Sequence, residues 1–198
     1  MIDAGTGNLR SVYKAFESLG ARVELTSDPE LVRQSNKLVL PGVGAMGDFM
    51  KGLRSNGIDS AVIEVAQRGD PLLGICVGMQ ALFEIGEERG EQHGLGLLPG
   101  RVVHFPDIPD LKVPHTGWNQ LWFEQPTGLL EGLSPGDYAY FNHSYFCTPD
   151  RPEDRLIFTD YGVKFSSAVQ HANIYGVQFH PEKSQQVGLR LLNNFLQA

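Results

Sequence analysis

Two residues that could carry covalent chemistry stand in unusual surroundings, Cys76 and His180. Cys76 lies in Leu72-Leu73-Gly74-Ile75-Cys76-Val77-Gly78-Met79-Gln80-Ala81-Leu82, with a glycine two residues to either side. An apolar run, a tight turn and a helix-like run around such a residue is the nucleophile-elbow pattern, with sulfur in place of a hydroxyl. The demand is steric: a nucleophile on a strained bend needs neighbours without bulk where strand and helix close on each other. A helix beginning at the turn would aim free N–H groups and its positive end at the sulfur, favouring thiolate over thiol. The plainer reading is a buried structural cysteine, because isolated cysteines usually behave as small hydrophobes.

A cysteine nucleophile needs a base, and the base needs an acceptor to orient it. Gly176-Val177-Gln178-Phe179-His180-Pro181-Glu182-Lys183-Ser184 offers both. The apolar strand delivers His180 to a sheet edge, Pro181 fixes the bend, and Glu182 can fold back onto the imidazole. His93, His104, His115, His143 and His171 lack this context.

The elements that must position these groups read as follows. Leu9, Val12, Tyr13, Phe16 and Leu19 mark a helix closed by Gly20. The Gly5-Thr6-Gly7-Asn8 turn before it does not match a dinucleotide fingerprint and reads as a loop at the sheet edge. Arg22–Thr26 alternates like a half-exposed strand, and Asp28-Pro29 starts a helix with Asp as cap. Leu38–Leu40 is a buried strand ending in Pro41-Gly42-Val43-Gly44. That loop can turn an N–H toward a developing oxyanion, although on its own it reads as an ordinary strand-to-helix turn. Ile58–Gln67 is a helix buried through Ile58, Val62, Val65 and Ala66. After Cys76 the helix is expected to carry Met79, Leu82, Phe83 and Ile85 into the Gly86–Gly90 turn.

The second half changes character. Gly94–Gly100 reads as loop, Arg101–Phe105 as strand, and strand-like runs follow at Trp118–Phe123, Tyr138–Cys147, Leu156–Thr159, Phe165–Gln170 and Ile174–Phe179. A terminal helix from Ser184 buries Val187, Leu191, Leu192 and Phe195. The β–α alternation followed by hairpins predicts an α/β fold, a mostly parallel doubly wound sheet with added antiparallel strands. No repeat, low-complexity tract or linker interrupts the 198 residues, so one domain over 1–198 is expected.

Two separated motifs in this order, Gly74-Ile75-Cys76-Val77-Gly78-Met79-Gln80 and His180-Pro181-Glu182, resemble those of the class I, triad-type glutamine amidotransferases. Gly5–Val12, Pro41–Ala45, His115–Asn119, Tyr140–Tyr145 and His180–Ser184 narrow the resemblance to one branch, the glutaminase subunits of imidazole glycerol phosphate synthases in histidine biosynthesis. The resemblance implies that Cys76 attacks the carboxamide of glutamine to form a thioester. It implies that His180 transfers the protons and that Glu182 orients His180. The N–H of Val77 and one from a rearranged Gly42–Val43 peptide would hold the oxyanion. Gly44, Gln80, His143, Ser144 and Tyr145 would line the glutamine pocket, and Thr6, Asn8, Trp118, Asn119, Tyr140 and Lys183 would face a partner. That partner is expected to be a (β/α)₈-barrel cyclase subunit in a heterodimer, receiving the ammonia directly. No cofactor or metal is implied.

Against this pattern, Thr116 and Asn142 stand where more apolar residues are expected. Only Met1 and Ile2 precede Asp3, where an ordinary strand takes about 5–6 residues. Either the native chain starts upstream of Met1 or a central strand is short. A different triad hydrolase of similar fold, such as a γ-glutamyl peptidase, and a binding subunit without chemistry are the competing readings. Gly117-Trp118-Asn119 with Lys183 argue against the first, and intact Cys76, His180 and Glu182 against the second.

Composition limits the setting. A net charge of -7 with no basic cluster argues against nucleic acid. No apolar run approaches a membrane span, no signal peptide is evident at the start, and the two cysteines form no disulfide framework. A cytoplasmic location, where thiols stay reduced, is expected. Cys147 is expected only to pack.

Overall fold

The structure, a computed structural model, describes residues 1–5, 9–125 and 128–198. In chain order the first half forms α1 (Leu9–Ser18), α2 (Pro29–Gln34), β1 (Leu38–Gly42), α3 (Met46–Ser55), α4 (Ile58–Arg68), β2 (Leu72–Cys76), α5 (Val77–Ala81), β3 (Phe83–Gly86) and β4 (Gln92–His93). The second half adds β5 (Leu98–His104), β6 (His115–Gln120), β7 (Tyr138–His143), β8 (Tyr145–Pro149), β9 (Arg155–Asp160), β10 (Lys164–His171), β11 (Ile174–Val177) and α6 (Gln185–Gln197).

The large sheet is mixed and runs β1-β2-β11-β10-β8-β5-β3-β4, with β9 on β10. β1, β2 and β11 are parallel neighbours, and β3 is parallel to β5. The antiparallel pairings are β10 with β8, β9 and β11, β5 with β8, and β3 with β4. β6 and β7 stand apart as a two-stranded sheet. β1 and β2 are buried along their whole length, as strands covered on both faces must be. α1 packs with α6, while α3 packs with α4 and α5, and α2 with α4. The α/β class expected from the alternation is therefore present, with the parallel strands β1, β2 and β11 gathered where Cys76 and His180 lie.

Several elements differ from expectation. The helix after Cys76 ends at Ala81, and Phe83 and Ile85 belong to β3, in register with Leu98 and Arg101 of β5. Arg22–Thr26 forms no strand; Thr26 alone bridges to Ile2, its N–H reaching Met1 O at 3.0 Å and its O accepting from Asp3 N at 2.9 Å. β5 begins at Leu98, inside the expected loop. The Tyr138–Cys147 run breaks at Ser144 into β7 and β8, which belong to different sheets. Two expected helices hold closely. The Asp28 side chain accepts from Glu30 N at 2.8 Å with Pro29 opening α2, and α4 buries Ile58, Ala61, Val62, Val65 and Ala66.

Candidate active site

The site forms where the parallel strands end, the edge at which α/β sheets gather ligands. Gly42 at the end of β1 lies in register with Cys76 at the end of β2, and β11 pairs Gly176 with Gly74 and Val177 with Ile75. One residue further along β11 therefore brings Gln178 beside Cys76, and two more bring His180. Cys76 has φ 55° and ψ −111°, strained for a residue with a side chain. Glycines permit the turn. A Cβ on Gly78 would lie 1.7 Å from Leu40 O, one on Gly74 2.6 Å from Gly78 O, and one on Gly42 2.9 Å from Gly78 N. Strand, elbow and oxyanion-candidate segment thus meet backbone to backbone.

His180 Nδ1 lies 3.0 Å from Glu182 Oε1, with the two side chains 5% and 2% exposed. A carboxylate only accepts, so Nδ1 carries a hydrogen and Nε2 is left free for the Cys76 sulfur, which lines the same cavity. Burial draws the imidazole pKa down, but the Cys76 and Glu182 partners outweigh it and raise the pKa to about 10. Glu182 Oε2 is buried and has no hydrogen-bond partner among the described residues. The His180 backbone is clamped. Its N–H donates to Tyr140 O at 2.9 Å, Tyr140 N–H donates to Ser184 Oγ at 3.0 Å, and Ser184 Oγ–H donates to His180 O at 2.7 Å.

A cavity of about 250 Å³ opens on Cys76 and His180. Val43, Gly44, Val77, Gln80, His143, Ser144 and Tyr145 line it, so every residue expected in the glutamine pocket borders one space. Val43 is exposed and Gly44 has φ +91°. Asn142 also borders the cavity; its Oδ1 accepts from Thr116 Oγ1 at 3.1 Å, in register across β6 and β7. The two residues that depart from the expected apolar pattern are thus cross-strand partners.

Sequence reasoning passed over two residues here. Glu88, read as part of a solvated turn, is half-buried on the cavity wall, and its Oε2 accepts from Met46 N at 3.1 Å. The long-range contact that brings it there leaves no local signal. Gln178 is fully buried, with Nε2 3.8 Å from Cys76 Sγ and Oε1 accepting from Gln80 Nε2 at 3.2 Å. Its place one register beyond Val177 could have drawn notice.

From the cavity wall inward runs a buried pair of imidazoles, His143 on the wall and His115 behind it. His143 Nδ1 is 2.8 Å from Tyr145 O, which can only accept, so Nδ1 donates. His143 Nε2 then accepts from His115 Nδ1 at 3.0 Å, and His115 Nε2 accepts from Asn119 Nδ2 at 3.3 Å. Burial pushes His115 down to about 4. It pushes His143 to about 3, where the bond to Tyr145 O opposes it and the neighbouring His115 and His180 add to it. Burial and the nearby Cys76 push the Cys147 thiol up.

The expected partner face gathers on the small sheet. β7 buries Ala139, Phe141 and His143 and turns Tyr138, Tyr140 and Asn142 outward. Trp118 is 47% and Tyr138 51% exposed. The Trp118 ring meets that of Tyr140 edge-on at 6.1 Å, and Lys183 Nζ lies 5.6 Å over Tyr140. Asn119 is turned inward, donating to Asp160 O at 2.9 Å. Thr6 and Asn8 lie outside the described residues. Among the described residues no group of three or more His, Cys, Asp or Glu could hold a metal ion.

The chain matches the family described as glutamine amidotransferase class-I over residues 1–198. A relative from Syntrophotalea carbinolica, imidazole glycerol phosphate synthase subunit HisH, is 48% identical over 98% of this chain and 97% of its own length. The protein of that name from Aquifex aeolicus is 48% identical over 98% of this chain and 94% of its own. A solved structure of a glutamine amidotransferase superposes with a TM-score of 0.77 at 22% identity, over 99% of this chain and 96% of that one, a likeness of fold.

Proposed function

Because the chain belongs to the class-I glutamine amidotransferases, in the branch of the imidazole glycerol phosphate synthase HisH subunits, we propose that it hydrolyses glutamine through Cys76, His180 and Glu182 and hands the ammonia to a cyclase subunit. The chain is a glutamine amidotransferase subunit with a role in histidine biosynthesis. The observation that carries the proposed chemistry is His180, oriented by the Glu182 carboxylate at 3.0 Å, sharing the wall of one cavity with Cys76.

In this reading the Cys76 thiolate attacks the carboxamide carbon, and the negative charge moves to the oxygen. Val77 N–H and an N–H from a rearranged Gly42–Val43 peptide receive that oxyanion; one such donor supports about 2.7–4 kcal/mol of barrier lowering. His180, charged at neutral pH, gives a proton to the departing nitrogen, and ammonia leaves as the C–N bond breaks. Neutral His180 then takes a proton from water as it attacks the thioester, and glutamate departs with the thiolate restored. The substrate is a zwitterion at its far end. Glu88 is the one carboxylate lining the cavity among the described residues, and it suits the α-ammonium.

Ammonia released into water at neutral pH becomes mostly ammonium, which is not a nucleophile. A direct hand-over to a (β/α)₈-barrel cyclase in a heterodimer avoids that loss; Trp118, Tyr140 and Lys183 with Thr6 and Asn8 are proposed to meet it, while Asn119, turned inward, supports that face from behind. We take residues 1–198 as one domain and its setting as the cytoplasm; among the described residues no helix is long and apolar enough to cross a membrane. Co-purification with the cyclase tests the whole reading. Glutamate release is expected to rise when the cyclase and its acceptor ligand are added. Fast release by the chain alone, indifferent to both, would sink the coupling, and no release under any condition would sink the glutaminase.

A further inference from the structure

We propose that Gln178 is a third side chain acting on the Cys76 sulfur, donating an amide N–H to it, and that Gln80 holds Gln178 in the donating orientation. The proposal rests on the glutaminase reading of the site and adds a residue to it.

Hydrogen-bond logic sets the direction of the contact. Tyr145 O can only accept, so the Gln80 group 3.1 Å from it is the amide nitrogen. That same nitrogen has a second hydrogen, and it lies 3.2 Å from the Gln178 side chain, which must present its oxygen there. The Gln178 nitrogen is then the atom facing Cys76 Sγ, at 3.8 Å. Tyr145 O also accepts from His143, so its position is itself fixed from two sides. Gln178 is 0% exposed, so no bulk water competes for its donors.

Such a donor has a defined use. Sulfur carries negative charge before attack on the carboxamide and again as the thioester breaks; it is neutral between. An amide donor favours the charged states while exchanging no proton, so the acid–base work stays with His180. Because Gln80 borders the substrate cavity and also holds Gln178, the pocket wall is linked to the nucleophile through two amides in series.

The test is the pH dependence of Cys76 alkylation by iodoacetamide in the full chain, read at the Cys76 peptide by mass spectrometry, beside steady-state glutaminase rates with the cyclase present. In Gln178→Met the alkylation midpoint is expected to move up by about one unit and the rate at pH 7 to fall about tenfold, the scale of one hydrogen bond to a charged group. kcat is expected to fall roughly tenfold with KM held within about twofold. A wild-type midpoint in a folded Met variant, or a loss confined to KM, overturns the proposal. If the Met variant does not fold, Gln178→Glu decides: it keeps the volume and sets a carboxylate against the sulfur. Its midpoint is expected to rise further, and an unchanged one overturns the proposal. Alkylation reads the contact whether or not glutamine is hydrolysed. Absent glutamate release with a Gln178-dependent midpoint would therefore condemn the glutaminase reading and leave the contact standing.

Discussion

His180 is pulled in opposite directions. Burial favours the neutral ring, while Cys76 and Glu182 favour the cation and prevail, holding its pKa near 10. An unfolded imidazole titrates near 6.5. The charged arrangement therefore stabilises the fold fully below pH 6.5, and that contribution is lost as pH rises through about 10. Glu182→Gln removes one of the groups that raise the value. Its glutaminase rate is expected to drop on the order of 10³–10⁴-fold, with the alkaline limb of the profile moved to lower pH. Cys76→Ala is expected to abolish glutamate release while leaving cyclase binding intact, since Cys76 lies inside the chain. Titration calorimetry and a coupled glutamate assay read the two separately.

At the scale of the element, the elbow and the small sheet respond differently to change. Gly78→Ala forces a Cβ into Leu40 O, and no side chain there can move aside. Its cost is expected to exceed about 3 kcal/mol in denaturant unfolding, if the protein folds at all. Gly44→Ala meets nothing within 4 Å and bears only its φ of +91°. About 1–2 kcal/mol is expected there, with the fold kept. The imidazole pair behind the pocket makes β6–β7 sensitive to acid. His115 and His143 stay neutral down to about 4 and 3, whereas the unfolded chain takes up both protons near 6.5. Stability is therefore expected to fall as pH drops below 6.5, with a slope approaching two protons near pH 5 and easing toward pH 4 as His115 takes up its own, and His115→Phe is expected to flatten it. Thermal unfolding across that range measures the slope.

Elements were legible where the local pattern and the long-range pairing agree. Asp28-Pro29 and the stripe on α4 are such cases, as are the offsets of Gly74 and Gly78 about Cys76. Phe83-Glu84-Ile85 was not, because so short an apolar run fits either period and only β5 decides it. The break at Ser144 was hidden inside a ten-residue run half of which is aromatic, the type that favours strand. In the site, residues with strong chemistry in a motif stood out. Glu88 did not, because a contact across the fold carries it to the wall.

For the whole molecule, the surface proposed to meet the cyclase is the outer face of β6–β7. Trp118→Ala is expected to weaken cyclase binding by at least about 2 kcal/mol, near 30-fold in Kd, as buried aromatic anchors do. Alkylation of Cys76 in the free chain is expected to be unchanged, which separates docking from chemistry. Tyr138, found by its exposure and its place beside Tyr140, is expected to contribute as well.

The one-residue seam at Ser144 has a consequence for motion. A sheet of two strands is barely stable by itself in water, so β6–β7 borrows its order from what it leans on. Tyr140 bonds to the loop of His180 by both its backbone groups, one directly and one through Ser184, and the next residues along the strand form the pocket wall. Whatever quiets the small sheet from outside also quiets the imidazole and the wall. Amide hydrogens of Trp118, Asn119 and Tyr138–Phe141 should exchange with deuterium early in the free chain. Once a partner covers the outer face, exchange at Tyr140 and at His180 should slow together, as though one latch held both.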